Sequence, residues 1–179
     1  GLCMRLFFAL WPSPETAEAL AGVACEEVRR LGGKATRAET IHLTLAFLGE
    51  QPPERLPEVI AAARTVRTAP FELVIDQLGV WRHNRLLWTG CQSLPGELTV
   101  LVEGLRVALH QAAIRFDEEH RRFMPHLTLV RKLPETAFPP SLPPISPLVW
   151  RCERFVLVES ALSAAGPNYR VLADFALER

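Results

Sequence analysis

Lysine is nearly absent from this chain of 179 residues: only Lys34 and Lys132 are lysines, and the other basic residues are arginine. Arginine's planar fork suits two-pronged contacts to phosphate, although genome composition gives the same bias. Acidic and basic residues balance at 20 each. No global field therefore draws the chain to nucleic acid, and an anionic partner has to meet a local patch. No apolar run reaches the ~18 residues of a membrane span. The opening "GLCMRLFFALWPSPE" lacks the basic start and small-residue cleavage site of a secretory leader. Cysteines stand at 3, 25, 91 and 152, with no Cys-x-x-Cys pair, which argues against a metal knuckle, a redox motif or a disulfide framework. A reducing, cytoplasmic setting is the expectation, with Cys25 and Cys91 as core fillers. His-Glu-x-x-His, Gly-x-Ser-x-Gly and a phosphate-binding glycine loop are also missing, which removes three common enzyme classes.

What is present is a mixture of strand and helix signals. "RLFFAL" (5–10) reads as a buried strand. A helix follows, with Ser13 as cap, Pro14 in the first position, Glu15 at the positive end of the dipole and Gly32-Gly33 as the stop. Its inward face is Leu20, Val23, Ala24, Val28 and Leu31. A strand is predicted at 41–48 and a short helix at about 54–66, with Pro57 confined to its first turn. Strands are predicted at 71–81 and 85–90, joined by "RHN" with Asn84 in the positive-φ position. The clearest helix is 96–114, where Leu98, Leu101, Leu105, Leu109 and Ala112 recur at helical spacing. "FDEEHRRF" reads as a charged loop, and a strand at 126–129 follows it. Six prolines between Pro134 and Pro147 forbid a helix or central strand there. Strands at 151–162 and 169–177, joined by a Gly-Pro-Asn turn, end the chain. Hairpins mixed with helices give an α+β fold of mostly antiparallel sheet.

One four-residue word occurs twice. His-Leu-Thr-Leu stands in "IHLTLAFLGE" at 42–45 and in "PHLTLVRK" at 126–129. On a strand, side chains alternate faces, so His42 and Thr44 point one way while Leu43 and Leu45 point the other. The second copy does the same with His126, Thr128, Leu127 and Leu129. If the two halves pack about a pseudo-twofold axis, two histidines and two threonines line one cleft. That set suits phosphodiester hydrolysis. One histidine activates the attacking oxygen and the other protonates the leaving oxygen, each near its ordinary pKa of ~6.5. Threonine hydroxyls donate to the non-bridging oxygens. The chemistry calls for no metal and no cofactor.

These words resemble the 2H phosphoesterase superfamily, which is defined by two His-x-Thr/Ser-x motifs. The likeness is closest to its bacterial 2′-5′ RNA ligase-like branch, the RNA 2′,3′-cyclic phosphodiesterases. "RLFFAL", "GVWRHNRLLWTG" and the terminal strand near Tyr169 extend it over most of the chain. The resemblance implies a single bilobal domain over 1–179, with two pseudo-symmetric lobes about a central cleft. It implies hydrolysis of RNA 2′,3′-cyclic phosphate ends to 2′-phosphomonoesters, with 2′-5′ joining as the reverse chemistry. By that pattern His42 donates the proton to the leaving 3′-oxygen, His126 activates water, and Thr44 and Thr128 hold the phosphate. A binding module with little turnover, or the same chemistry on another 2′-5′ or cyclic phosphate nucleotide, remains the alternative.

Four further residues are substrate-binding candidates. Arg131 follows the second word; on strict alternation it faces away from Thr128 unless the strand ends or bends. Arg5 opens the first strand. For both, the competing reading is a solvated strand end. Phe47 can stack on a base or simply pack in the core, as can Phe7. Tyr169 is placed near the cleft by the resemblance alone. "WRHNR" (81–85) reads either as an RNA guide or as a solvated turn. His83, His110 and His120 lack a paired threonine; His110 reads as a helix-surface residue and His120 as part of the charged loop. The expected partner is an RNA end or cyclic nucleotide as substrate, the expected state a monomer, and no membrane is involved.

Overall fold

The fold is that of a computed structural model, and its description covers residues 2–118, 123–138 and 141–179. Strand β1 (Met4–Leu10) opens the chain. It is buried on both faces: Leu6, Phe8 and Leu10 enter the main core, while Phe7 and Ala9 join a smaller cluster with Val156 and Val158. Helix α1 (Pro14–Leu31) begins at the Ser13 cap, whose side chain accepts from the Thr16 amide, and stops at Gly32 with φ +88°. A left-handed φ of this kind favours glycine. Leu20 and Ala24 are buried as expected, with Val23, Val28 and Leu31 half-buried against the same core. Glu27 is also buried, and Arg30 donates to its carboxylate at 2.8 Å. Cys25, expected as a core filler, is exposed. It lies one residue, about 100° of helical turn, past the buried stripe at Ala24. Cys152 is the buried cysteine.

A short β2 (Lys34–Ala35) and a 3-10 turn at Ala38–Thr40 lead to β3 (Leu43–Gln51). A further 3-10 turn precedes α2 (Leu56–Arg64), and Pro57 lies in its first turn. Two segments expected as single strands divide. The span 71–81 becomes β4 (Phe71–Ile75) and β5 (Gln77–Trp81), broken at Asp76, whose carboxylate accepts from the Gln92 amide. The span 151–162 becomes β8 (Leu148–Cys152) and β9 (Arg154–Ser163), broken at Glu153, whose carbonyl accepts from Leu177. Neither break carries the glycine or proline that marks one in sequence.

Between these lie β6 (Leu86–Gly90), α3 (Gly96–Gln111) and β7 (Leu127–Arg131), and β10 (Gly166–Ala176) follows β9. In the β5–β6 loop it is Arg85, not Asn84, that takes positive φ. The β9–β10 turn is Ala164-Ala165 rather than Gly-Pro-Asn, because Pro167 already belongs to β10. Strand β10 is an edge strand, where a missing proline N–H is tolerated. His120 and part of the charged loop, together with Pro139 and Pro140 of the proline-rich segment, lie outside the described residues.

The main sheet runs β10-β9-β1-β3-β7-β6-β5, with β2 paired to β7, and β4 and β8 form a separate pair. Every pairing between strands is antiparallel. The two halves of the main sheet meet through one residue pair, Leu43 opposite Leu127. These are the equivalent leucines of the repeated word, and both are fully buried. The repeat thus forms the central seam of the sheet. Among the described residues no helix is long and apolar enough to cross a membrane.

Candidate active site

The two words carry the same irregularity as well as the same letters. In β3, Ala9 pairs with Thr44 and Phe8 with Ala46, so Leu45 is an extra residue. In β7, Trp88 pairs with Thr128 and Leu87 with Val130, so Leu129 is the extra residue. Each bulge falls at the fourth letter of His-Leu-Thr-Leu. A bulge resets the alternation of the strand beyond it. That brings Arg131 onto the cleft side with Thr128, where strict alternation would turn it away. Both side chains line one cavity of about 240 Å³, together with His42, Thr44, His126 and Tyr169.

The histidines are held alike. Neither lies inside its strand: His42 precedes β3 and His126 precedes β7, each by one residue. His42 Nδ1 lies 2.8 Å from the Thr40 carbonyl, and His126 Nδ1 lies 2.9 Å from the Met124 carbonyl. A carbonyl only accepts, so Nδ1 carries the proton in both rings. The neutral form then has its basic lone pair on Nε2.

The ring neighbours differ. His42 stacks on Trp11, with centroids 4.8 Å apart and planes at 12°, and also meets Phe7 and the edge of Tyr169. The Trp11 indole N–H donates to the Glu39 carbonyl, which anchors the stack. His126 meets Trp81 edge-on at 4.6 Å, and Trp81 leans on Trp88. Trp88 lies so close over Gly79 that a Cβ there would collide with its ring. Burial lowers the pKa of His42. The Thr40 carbonyl opposes this, and the charge of His126 adds to it. Burial raises the Tyr169 phenol against the pull of Arg131.

Sequence reasoning missed Thr36 and Thr40, which also line the cavity. Thr36 is buried, and its hydroxyl has no hydrogen-bond partner among the described residues; the same is true of Arg131 Nε. Two buried donors without acceptors at one cavity suit an anion. No sequence signal marked Thr36, because it reaches the site only through the two-residue β2 against β7. Arg5, offered as a phosphate ligand, does not line this cavity: its guanidinium lies 4.9 Å over the Phe47 ring. Phe47 borders a neighbouring cavity instead. His110 is on the surface, 2.8 Å from the Glu118 carboxylate.

Two histidines with matched tethers, ringed by hydroxyls and one arginine, suit acid–base chemistry on a phosphate ester. Residues 10–88 match the family model described as LigT-like phosphoesterase. An RNA 2′,3′-cyclic phosphodiesterase of Thermus thermophilus is 34 % identical over 97 % of this chain and 90 % of its own length. The apo crystal structure of E. coli LigT superposes with a TM-score of 0.88 at 28 % identity, covering all of both chains. The E. coli LigT complex with 3′-AMP gives 0.87 at 28 % identity, over 99 % of this chain and all of that one. The chain belongs to the LigT-like phosphoesterase family.

Proposed function

We propose that this protein hydrolyses the 2′,3′-cyclic phosphate ends of RNA to 2′-phosphomonoesters, using its paired histidines without a metal. The observation that carries this is the pair of identically tethered rings in one cavity with Thr44, Thr128 and Arg131. Water attacks phosphorus as its proton passes to His126 Nε2. The P–O3′ bond breaks, and His42 supplies a proton to the departing 3′-oxygen. Thr44, Thr128, Thr36 and Arg131 hold the non-bridging oxygens, whose charge they stabilise in a partly dry site. Burial lowers the His42 pKa and so favours its neutral form. The negative charge of a bound phosphate acts in the opposite direction and favours the protonated donor. A 5′-hydroxyl in place of water runs the same steps toward a 2′-5′ linkage.

The reading takes the chain as one bilobal, monomeric, cytoplasmic domain. Relatives named for this activity match nearly its whole length, which supports the reaction. The division of roles between the histidines rests on the family resemblance. The test is incubation of a short RNA ending in a 2′,3′-cyclic phosphate, with chelator present, and chromatography of the product. A 2′-phosphate made by the parent but not by His42→Ala or His126→Ala is the expected result. No product from folded parent, or full activity in His126→Ala, overturns the proposal.

A further inference from the structure

Trp11 belongs to neither copy of the repeated word, yet of the three aromatic rings around His42 it lies nearest. Its centroid is 4.8 Å away and the two planes are 12° apart. Phe7 stands at 5.0 Å with a tilt of 33°, and Tyr169 at 5.1 Å and 81°. Of the three, Trp11 is the ring that sets its face parallel to the imidazole. One turn fixes both members of the stack. The indole N–H donates to the Glu39 carbonyl at 3.1 Å, and His42 Nδ1 donates to the Thr40 carbonyl at 2.8 Å. Glu39 and Thr40 are neighbours in the 3-10 turn Ala38–Thr40. Tyr169 also packs T-shaped against Trp11 at 5.6 Å.

An indole face is negative and attracts a cation within about 6 Å of its centroid, whereas a neutral imidazole gains only ordinary stacking. The stack is therefore stronger with His42 protonated. Other groups facing the ring act against that proton. Burial and the charge of His126 both disfavour it, and Arg131 shares the cavity as a further cation. Tyr169 presents a phenol whose own pKa is raised, so it brings no negative charge. The Glu39 carboxylate, on the turn, is paired with Arg37 at 3.7 Å. The Thr40 carbonyl favours the proton, and the indole face adds to it.

We infer that Trp11 is a positioning residue for proton transfer, its indole face holding the His42 ring as an imidazolium. With Nδ1–H tied to the turn, the proton left to give is the one on Nε2. The lining of the catalytic cavity includes His42 but not Trp11, so Trp11 acts on substrate through that ring. The part of His42 as donor rests on the proposed phosphodiesterase reading; the preference of the stack for the cation does not.

The experiment places tryptophans of increasing ring fluorination at position 11 by site-specific incorporation. Fluorine draws charge from the face and leaves the shape and burial of the ring nearly unchanged. The His42 imidazole is titrated by NMR in each protein without substrate, and its titration should move to lower pH as fluorination increases. The alkaline limb of kcat/KM on an RNA 2′,3′-cyclic phosphate end reports the proton donor and should move with it. Near neutral pH, kcat/KM should fall about two- to thirtyfold when the attraction is lost. Trp11→Phe keeps an aromatic face and should lose less rate than Trp11→Leu. An imidazole titration unmoved by fluorination overturns the inference, and a loss of rate in Trp11→Leu is then one of packing. A titration that moves while the alkaline limb stays fixed overturns the link to proton transfer. A titration that moves in a protein with no turnover, the parent included, keeps the preference for the cation and removes the phosphodiesterase reading instead.

Discussion

Replacing Thr36 with valine removes one oxygen and little else. The Thr36 side chain is 9 % exposed, and its hydroxyl has no partner among the described residues. Its backbone is fixed independently, because its N–H donates to the Leu129 carbonyl at 2.8 Å. A buried hydroxyl left unmade costs about 1–3 kcal/mol, which the valine recovers. In a chain of this size each kcal/mol moves Tm by about 2–4 °C. Thr36→Val should therefore raise the Tm of the ligand-free protein by about 2–12 °C. Activity should move the other way. A hydrogen bond to a charged group contributes about 1.5–3 kcal/mol, so kcat/KM on a cyclic phosphate should fall about ten- to a hundredfold. Thr36→Ser keeps the oxygen and should keep the rate. Calorimetry and steady-state kinetics read the two effects on the same samples. An unchanged or lower Tm together with full activity would refute the reasoning, because the hydroxyl would then be neither unpaired nor a phosphate donor. A higher Tm with full activity would leave it unpaired but remove it from catalysis.

Burial lowers the His42 pKa, so the unfolded chain takes up that proton first as pH falls. Stability should be complete above the ordinary ~6.5 and decline below it, and His42→Asn should flatten that slope in urea melts. Inorganic phosphate should reverse part of the shift, read as an upfield-to-downfield change in the His42 imidazole NMR titration at fixed pH. The Cys91 and Cys152 thiols are pushed up to about 11 and about 12, mainly by burial. A thiol reagent near pH 8 should label exposed Cys25 quickly and these two only on unfolding; their contribution to stability is present below ~9 and lost as pH rises beyond it. Leu127→Ala at the seam between the half-sheets should cost about 2–5 kcal/mol, and a smaller loss in denaturant melts would mean the seam relaxes around the cavity.

The composition of the site was largely legible, while its geometry was only partly so. The repeated His-Leu-Thr-Leu pointed to four residues that line one cavity, because period-2 alternation is a property of the backbone. The same rule misjudged Arg131, since it assumes an unbroken ladder and β7 contains a bulge. Nothing in the letters of "HLTLVR" announces that extra residue; it follows from which residues of β6 lie opposite. The split of 71–81 has the same origin. Phe71–Ile75 and Gln77–Trp81 are both acceptable strands, and only their partners, β8 and β6, separate them. Thr36 was illegible for a related reason: two residues of pairing with β7 are too short a signal to read in advance.

The repeat itself conceals a difference that the rest of the chain supplies. Both words give an Nδ1–H tied to the carbonyl two residues earlier and a threonine two residues on, so the words alone make two equal histidines. Trp11, Phe7 and Tyr169 enclose one ring, whereas Trp81 touches the other edge-on. Those aromatics come from β1 and its end, β10, and β5, none of which belongs to either word. Burial is the largest influence on the His42 pKa, and repulsion from His126 acts in the same direction. Two interacting groups titrate as a pair, and unequal environments bias which of them holds the proton. The repeat therefore positions the rings, and the unrelated aromatics around them supply the difference on which the proposed division of acid and base roles draws.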